Sequence, residues 1–233
     1  MNNLAISVAL ATAPSSAFEE LRARPRFWFP LLLLLASTLA IMFWYYSIVD
    51  IEWFKDAMFG NNPDVQKLPE DQRAAMLGMY TRNTLLWGSM IGVFFFMSVM
   101  FLVTALYLLL AAKVTKLPRD LRFKHWFAFA CWTMLPTLLS NVIAAIMLGL
   151  SDTPQMSPSA LAPLSLNALV FQVPMSGAGY SLLESLTIPN LLGWALMIIG
   201  VQVWTQRSWA FSAAFILVPI VVIYGVWAFF AFR

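Results

Sequence analysis

A basic segment near the middle of the chain reads Lys113-Val114-Thr115-Lys116-Leu117-Pro118-Arg119-Asp120-Leu121-Arg122-Phe123-Lys124-His125. It holds five of the fourteen Lys and Arg residues and lies between two uncharged apolar runs, each long enough to cross a bilayer. Short loops rich in Lys and Arg stay on the cytoplasmic side of a membrane. The segment is therefore predicted to face the cytoplasm, and its position fixes the side of every other loop.

The composition around this segment is that of a membrane protein. Of 233 residues, 61% are apolar and 11% are charged, whereas about 25% of a soluble domain is charged. The pattern predicts an all-α polytopic membrane protein, a bundle of five transmembrane helices within a domain over residues 27–233. The predicted spans are at about residues 28–49, 85–112, 126–150, 188–204 and 209–232.

Residues 1–26 are predicted to form a cytoplasmic N-terminus. A weak apolar stretch begins the chain, but no basic residue precedes it and three arginines follow it, which is not the pattern of a cleaved signal peptide. Residues 14–24 place Phe18 and Leu21 on one helical face. We expect a short amphipathic helix that lies in the membrane interface.

The distribution of basic residues predicts the orientation. Segments assigned to the cytoplasm hold nine Lys and Arg residues, and the opposite segments hold five although they are longer. This asymmetry favours a cytoplasmic N-terminus and, after five crossings, a C-terminus on the periplasmic or extracellular side. Since the basic residues collect at the ends of spans, topology accounts for them and no nucleic-acid partner is expected.

The chain offers little for catalysis or metal binding. It contains one histidine, His125, and one cysteine, Cys131, and no predicted span contains an acidic residue. A catalytic triad needs its members to converge, whereas His125 is predicted at the inner interface and Asp50, Asp152 and Glu184 at the outer one. We therefore predict a non-enzymatic protein without a cofactor or a metal site, and a lipid-modifying enzyme is disfavoured for want of catalytic groups.

Three sets of residues are candidates for contacts. Basic residues at the inner leaflet attract anionic lipid or a membrane partner, and the set is Lys113, Lys116, Arg119, Arg122 and Lys124. Gly88 and Gly92, one turn apart in the second span, predict close helix packing, either inside the bundle or with a partner. Neutral polar groups beside a proline are candidates for lining a cavity, and that set is Pro136, Asn141 and Gln202.

Residues 151–187 form an unusual loop. Only two of these residues are charged, Asp152 and Glu184, and four are prolines. We expect the loop to fold back over the helix ends or dip into the outer interface, with Gly177 and Gly179 as turning points.

The order of elements resembles the bacterial branch of the Yip domain family, named from Ypt-interacting proteins. The likeness runs from about Pro14 to Phe232 and includes the arginine-rich stop at Pro25 and a proline in the third span. Its most telling part is Leu192-Gly193-Trp194-Ala195-Leu196-Met197-Ile198-Ile199-Gly200-Val201, followed after a tight turn by Ser208-Trp209-Ala210.

This resemblance implies a five-span integral membrane protein without known enzymatic activity, located in the bacterial inner membrane. Eukaryotic relatives act in vesicle traffic through small GTPases, and some bacterial members accompany ABC-type exporters. The eukaryotic Asp-Leu-Tyr-Gly-Pro motif is absent, since Asp120-Leu121 continues here as Arg122-Phe123. No small GTPase partner is therefore expected.

Two functions remain open on the sequence. The first is a non-enzymatic protein that works by helix contacts, as an accessory subunit of an ABC-type export complex or as a homo-oligomeric membrane organiser. The second is a small transporter, channel or lipid-moving protein in which residues 151–187 act as a gate. The first is favoured because the predicted spans contain no ionisable residue to hold a proton or an ion.

Overall fold

The computed structural model describes residues 1–60, 62–117 and 120–233 and is built of helices. The helices are α1 Asn3–Thr12, α2 Pro14–Ala23, α3 Trp28–Ile48, α4 Ile51–Phe59, α5 Pro63–Gln66, α6 Glu70–Gly78, α7 Arg82–Val114, α8 Phe123–Thr133, α9 Thr137–Leu150, α10 Tyr180–Ser185, α11 Ile188–Thr205 and α12 Trp209–Ala231. Within the described residues, β pairing is limited to one isolated bridge, between Ser165 and Thr187. The all-α class predicted from the sequence is confirmed.

Five segments of the described chain are long and apolar enough to cross a membrane. They are Trp28–Ile48, Arg82–Val114, Phe123–Leu150, Ile188–Thr205 and Trp209–Ala231. A helix is the natural form for such segments, because it satisfies every interior backbone hydrogen bond without water. The predicted multi-pass bundle of five transmembrane helices is therefore confirmed.

The third membrane segment is interrupted at Pro136. Proline has no backbone N–H, so a continuous helix would leave the carbonyl of Trp132 without its usual donor. Here α8 ends at Thr133 and α9 begins at Thr137, and the backbone N–H of Leu135 donates to the Trp132 carbonyl at 3.2 Å. A proline inside an apolar run predicts a kink, and here the kink takes the form of a tight turn between two helices.

The chain divides into two compact units. The first, which we call the tryptophan unit, comprises residues 1–36, 95–138 and 189–226, and the second, the loop unit, comprises residues 37–94, 139–188 and 227–233. The boundary expected between residues 26 and 27 is not one of these divisions and stays a prediction. Each unit has its own apolar core.

The core of the tryptophan unit is aromatic. Trp126, Trp132 and Trp204 are fully buried, and the ring of Phe129 lies 4.9 Å from that of Trp204 and 5.7 Å from that of Trp126 between ring centroids. The backbone of α11 approaches this cluster closely at Gly200, where a Cβ atom would overlap the Phe129 ring. Glycine at this position therefore makes room for the ring.

The N-terminal helices α1 and α2 belong to this core. Phe18 and Leu21 of α2 have no exposed surface, and the carbonyl of Phe18 accepts a hydrogen bond of 2.7 Å from the Trp204 indole. From α1, Ile6 is also fully buried. The apolar face of residues 14–24 thus packs against the rings of α8 and α11, and the position of this helix in the membrane interface stays a prediction.

The core of the loop unit is smaller and is joined to its loops by hydrogen bonds. Tyr45, Val49 and Phe54 are buried at the junction of α3 and α4. The Tyr45 hydroxyl donates to the Met156 carbonyl at 2.7 Å, and the Asp50 backbone N–H donates to the Pro154 carbonyl at 2.8 Å. The segment that follows α9 is thereby attached to the end of α3.

Candidate functional site

The predicted basic contact surface lies where α7 ends and α8 begins. Lys113 is in the last turn of α7, and Lys116 follows it with a left-handed backbone, φ 55°. Arg122 and Lys124 stand at the start of α8, and all four of these side chains are exposed. Arg119, the fifth member of the predicted set, lies outside the described residues.

The carboxylates near this surface are already engaged. Asp120 accepts a 2.9 Å hydrogen bond from Arg22, and this bond holds the pKa of the Asp120 carboxyl below its ordinary value. Glu20 accepts one of 2.8 Å from Arg26. Among the described residues, no carboxylate lies within 4 Å of the amines of Lys113 or Lys116. These two amines are available for an anion from outside the chain.

His125 has a local structural contact. Its Nδ1 accepts a hydrogen bond of 3.0 Å from the backbone N–H of Arg122, and its ring meets the edge of Trp204 at 6.4 Å between centroids. The ring therefore caps the first turn of α8 and packs on the aromatic core. Within the described residues, no three His, Cys, Asp or Glu side chains converge in a way that could hold a metal ion.

The glycine pair of α7 faces outward. A Cβ atom placed on Gly88 or Gly92 would meet no atom within 4 Å. For the first interpretation, packing inside the bundle, the described part of the chain therefore offers no neighbouring atom at these two positions. The second interpretation, contact with another molecule, stays a prediction.

The three residues expected to line a cavity are not brought together around one of the described clefts. Asn141 donates its amide to the hydroxyls of Ser37 at 2.9 Å and Thr38 at 3.2 Å, which links α9 to α3. Pro136 forms the turn between α8 and α9, and Gln202 is half-buried in α11. A cavity role for these residues stays a prediction.

Two clefts are open on the described surface, one in each unit. The loop unit has a cleft of about 600 Å³ beside the ends of α3 and α6, bordered by Asp50, Glu52, Lys55 and Arg82. The tryptophan unit has an apolar groove of about 510 Å³ between α7 and α12. Neither cleft is lined by Pro136, Asn141 or Gln202.

Residues 151–187 fold around a polar network that the sequence analysis missed. Asn167 is only 2% exposed, and its amide donates to the carbonyl of Val173 at 3.1 Å and to Glu184 at 3.0 Å. Its carbonyl oxygen accepts from the Val173 backbone N–H at 2.8 Å, and Ser159 donates to the same Glu184 carboxylate. The signal available in the sequence was Glu184, one of only two charged residues in this mostly apolar stretch.

The expected turning points lie within this segment. Gly179 has φ 79°, a conformation that side-chain-bearing residues rarely adopt, and a Cβ atom there would overlap the ring of Phe232. Gly177 is similarly confined, since a Cβ atom would lie 2.5 Å from Cγ1 of Val173. Gly179 is therefore required by its backbone conformation, whereas Gly177 is confined by its neighbours Val173 and Pro174.

Two arginines bind the carboxyl ends of helices. From the sequence, both counted only toward the charge asymmetry that predicts the orientation. Arg82 donates to the carbonyls of Tyr46 and Val49, the latter at 2.9 Å, at the end of α3. Arg22 donates to the carbonyl of Trp204 at 2.7 Å, at the end of α11. The last carbonyls of a helix lack donors within the helix and carry partial negative charge, so a guanidinium satisfies both needs.

Comparison with protein families gives one finding. The family model for the Yip1 domain matches residues 8–230, which is nearly the whole chain. Comparison with curated proteins and with solved structures gives no match.

Proposed function

The chain belongs to the Yip1 domain family of multi-pass membrane proteins, and on that premise we propose that it is a non-enzymatic protein of the bacterial inner membrane that acts through helix contacts. Its partner is a membrane protein. The proposal has two versions: in the first the partner is the core of an ABC-type exporter, and in the second it is another copy of this chain. Small GTPases are not part of the proposal, because the motif associated with them is absent.

The observation that carries the proposal is the two-sided character of the first half of α7. On one side Leu86 is 8% exposed, and the Ser89 hydroxyl bonds to the Tyr46 hydroxyl at 3.1 Å. On the other side Gly88 and Gly92 face open space, with Ile91 beside them 55% exposed.

A glycine pair one turn apart lets two helix backbones approach closely, and such an approach is a main source of helix association in lipid. Two phenylalanines or leucines at these positions would serve lipid contact equally well. The small residues on an outward face therefore support a contact with another helix.

The alternative function, a small transporter, channel or lipid-moving protein gated by residues 151–187, has less support. Asn141, its best candidate for a polar path, uses its amide to join α9 to α3. Residues 151–187 are tied internally by Asn167 and Glu184, as expected for a fixed cap.

The proposal is tested by widening the glycine face. The double variant Gly88→Leu and Gly92→Leu is expected to reduce the fraction recovered with a partner or as an oligomer by about tenfold, because it separates the two backbones. Mild-detergent purification, native mass spectrometry and cross-linking measure that fraction. Gly225→Leu is the matched control, since a Cβ atom there also meets no atom within 4 Å.

The outcome that contradicts the proposal is equally concrete. If the unmodified protein is recovered alone and monomeric from native lipid extracts, helix contact is not its function. If the double variant keeps its partner and its thermal unfolding is unchanged, the contact is not at Gly88 and Gly92. The glycine face would then be removed from the proposal.

The proposed orientation has its own test. With Cys131→Ser as background, Lys67→Cys is expected to react with a membrane-impermeant maleimide in intact cells, because Lys67 is 75% exposed in the segment assigned to the outside. Arg24→Cys, on the opposite side, is expected to react only after permeabilisation. The reverse pattern would overturn the proposed topology.

A further inference from the structure

The groove between α7 and α12 is made by two facing helical stripes. One wall consists of Tyr107, Leu110, Ala111, Val114 and Thr115, and the other of Phe211, Ala214, Phe215, Val218 and Pro219. Both sets follow the spacing i, i+3, i+4, i+7 and i+8, so each is a single face of its helix. The groove is therefore a continuous apolar furrow along two antiparallel helices.

A proline fixes the shape of this furrow. Pro219 cannot donate a backbone hydrogen bond, so the carbonyl of Phe215 lacks its usual partner within α12. The hydroxyl of Tyr107, from the facing wall, donates to this carbonyl at 2.8 Å. The two walls are thus joined by a bond that depends on the proline, and the furrow is a built feature of the fold.

The dimensions of the furrow suit an acyl chain better than a helix. Its wall on α7 runs over nine residues, from Tyr107 to Thr115, an axial distance of about 12 Å. A volume of about 510 Å³ over that length gives a mean cross-section of about 40 Å². A helix about 10 Å in diameter needs about 80 Å² or more. The length is also less than half of a hydrocarbon core of about 30 Å, which suits a chain from one leaflet.

The end of the furrow is cationic. Lys113 and Lys116 flank Val114 and Thr115 on the α7 wall, and the Arg207 guanidinium lies 5.8 Å from the ring centroid of Phe211 on the α12 wall. In the described part of the chain, none of these three cations has a carboxylate within 4 Å. Nearby Asp120 and Glu20 are bonded to Arg22 and Arg26.

We propose that the furrow between α7 and α12 binds one anionic glycerophospholipid. Its acyl chain lies between Leu110 and Val114 of α7 and Ala214 and Val218 of α12, and its phosphate meets Arg207 and the lysines at the end of α7. Apolar walls with a cationic end match the two parts of such a lipid. The proposal uses residues separate from the glycine face, and either can fail without the other.

The test measures lipid retention by the full-length protein. The protein is incubated in mixed micelles of phosphatidylglycerol and phosphatidylcholine in equal amounts, and native mass spectrometry counts the retained lipid. We expect a preference for phosphatidylglycerol of about tenfold or more, since each cation near the phosphate adds attraction. Equal retention of the two lipids would overturn the proposal.

Two variants locate the site. Arg207→Gln is expected to lower the preference by at least about threefold, and its matched control is Lys124→Gln, which removes a charge from the same basic surface outside the furrow. Ala214→Trp is expected to abolish retention by filling the furrow. Its control is Val222→Trp, on the same helix at a residue 58% exposed. Lipid retention by each variant is compared with that of the parent protein only if the two have the same melting temperature.

The remaining outcomes decide between occupants. An equal effect of Lys124→Gln and Arg207→Gln would mean a diffuse basic surface and would overturn the furrow as the site. A change of oligomeric state in Ala214→Trp with lipid retention unaltered would assign the furrow to a second copy. A phosphatidylglycerol carrying a photoreactive group on its acyl chain is expected to cross-link within residues 107–115 or 211–219, and cross-linking only elsewhere would refute the proposal.

Discussion

The two units of this protein hold themselves together by different means. In the tryptophan unit, three buried indole rings fill the core, and two of them donate to backbone carbonyls, Trp204 to Phe18 at 2.7 Å and Trp132 to Arg26 at 2.6 Å. In the loop unit, the buried side-chain amide of Asn167 bonds to both backbone polar groups of Val173 and to the Glu184 carboxylate on α10.

Because of this difference, the two units should be sensitive to different kinds of substitution. A core of large rings depends on volume, so it is sensitive to a cavity or to an added methyl group. A polar network depends on complete pairing, so it is sensitive to the loss of one donor even when volume is kept.

Removing the central ring should have the largest effect. Trp204→Ala leaves a cavity beside Phe129 and Trp126 and removes the donor to Phe18, so we expect a loss of about 3–5 kcal/mol in the free energy of unfolding. Thermal and denaturant unfolding in detergent measure it. Trp87→Ala, at a ring 56% exposed, is the control, and an equal loss in both would refute the volume-dependent core.

Removing the amide of the loop unit should come next. Asn167→Leu keeps the side-chain volume but leaves the N–H and carbonyl of Val173 without partners, at a cost of about 2–4 kcal/mol. We expect faster proteolysis within residues 151–187. Gln155→Leu, at an exposed position of the same segment, should leave proteolysis unchanged; a silent Asn167→Leu variant would show that the network is dispensable.

Substitution of glycine by alanine should have opposite effects on stability at crowded and at open positions. Gly200→Ala forces a Cβ atom into Phe129 and towards Phe18, and we expect a loss of about 1–3 kcal/mol. Gly225→Ala meets no atom within 4 Å and should stabilise α12 by up to about 1 kcal/mol. The two melting temperatures should therefore move in opposite directions, and movement in the same direction would contradict the packing described for α11.

The arginine caps should matter less than either core. Arg82→Ala frees two carbonyls at the end of α3, and we expect a loss of about 1–2 kcal/mol. Arg82→Lys should restore only part of it, because an ammonium cannot match the planar fork. If Lys fully replaces Arg, charge alone and not bidentate geometry holds the end of α3.

The exposed pair of Arg22 and Asp120 should have the smallest effect. The hydrogen bond from Arg22 lowers the pKa of Asp120, so its contribution is present above the ordinary carboxyl pKa and is lost as the pH falls through the lowered value. The Asp120 side chain is 59% exposed, and screening limits the effect to about 0.5 kcal/mol. Unfolding of Asp120→Asn and of the parent should differ at pH 7, and the difference should shrink as the pH falls below the ordinary carboxyl pKa.

Hydropathy and charge were sufficient to predict the membrane architecture. Long uncharged runs predict spans because lipid leaves few alternatives to a helix, and Pro136 predicted the interruption because it lacks a donor. These features depend on residues close together in the chain, and a single sequence contains all of them.

The remaining features depend on residues far apart. The burial of Phe18 depends on Trp204, and the role of Tyr107 depends on Pro219 more than a hundred positions away. The outward direction of Gly88 could not be predicted. The spacing in one sequence shows which residues share a helix face, but it does not show what that face contacts. For the same reason the network of Asn167 and Glu184 was missed.

The cap formed by Arg82 has a consequence for bilayer thickness. A helix that is longer or shorter than the hydrocarbon around it can adjust by sliding or tilting. Arg82, the first residue of α7, is hydrogen-bonded to the end of α3. A shift of either helix along its axis should therefore move the other helix as well. A thinner or thicker membrane should therefore incline these two helices together.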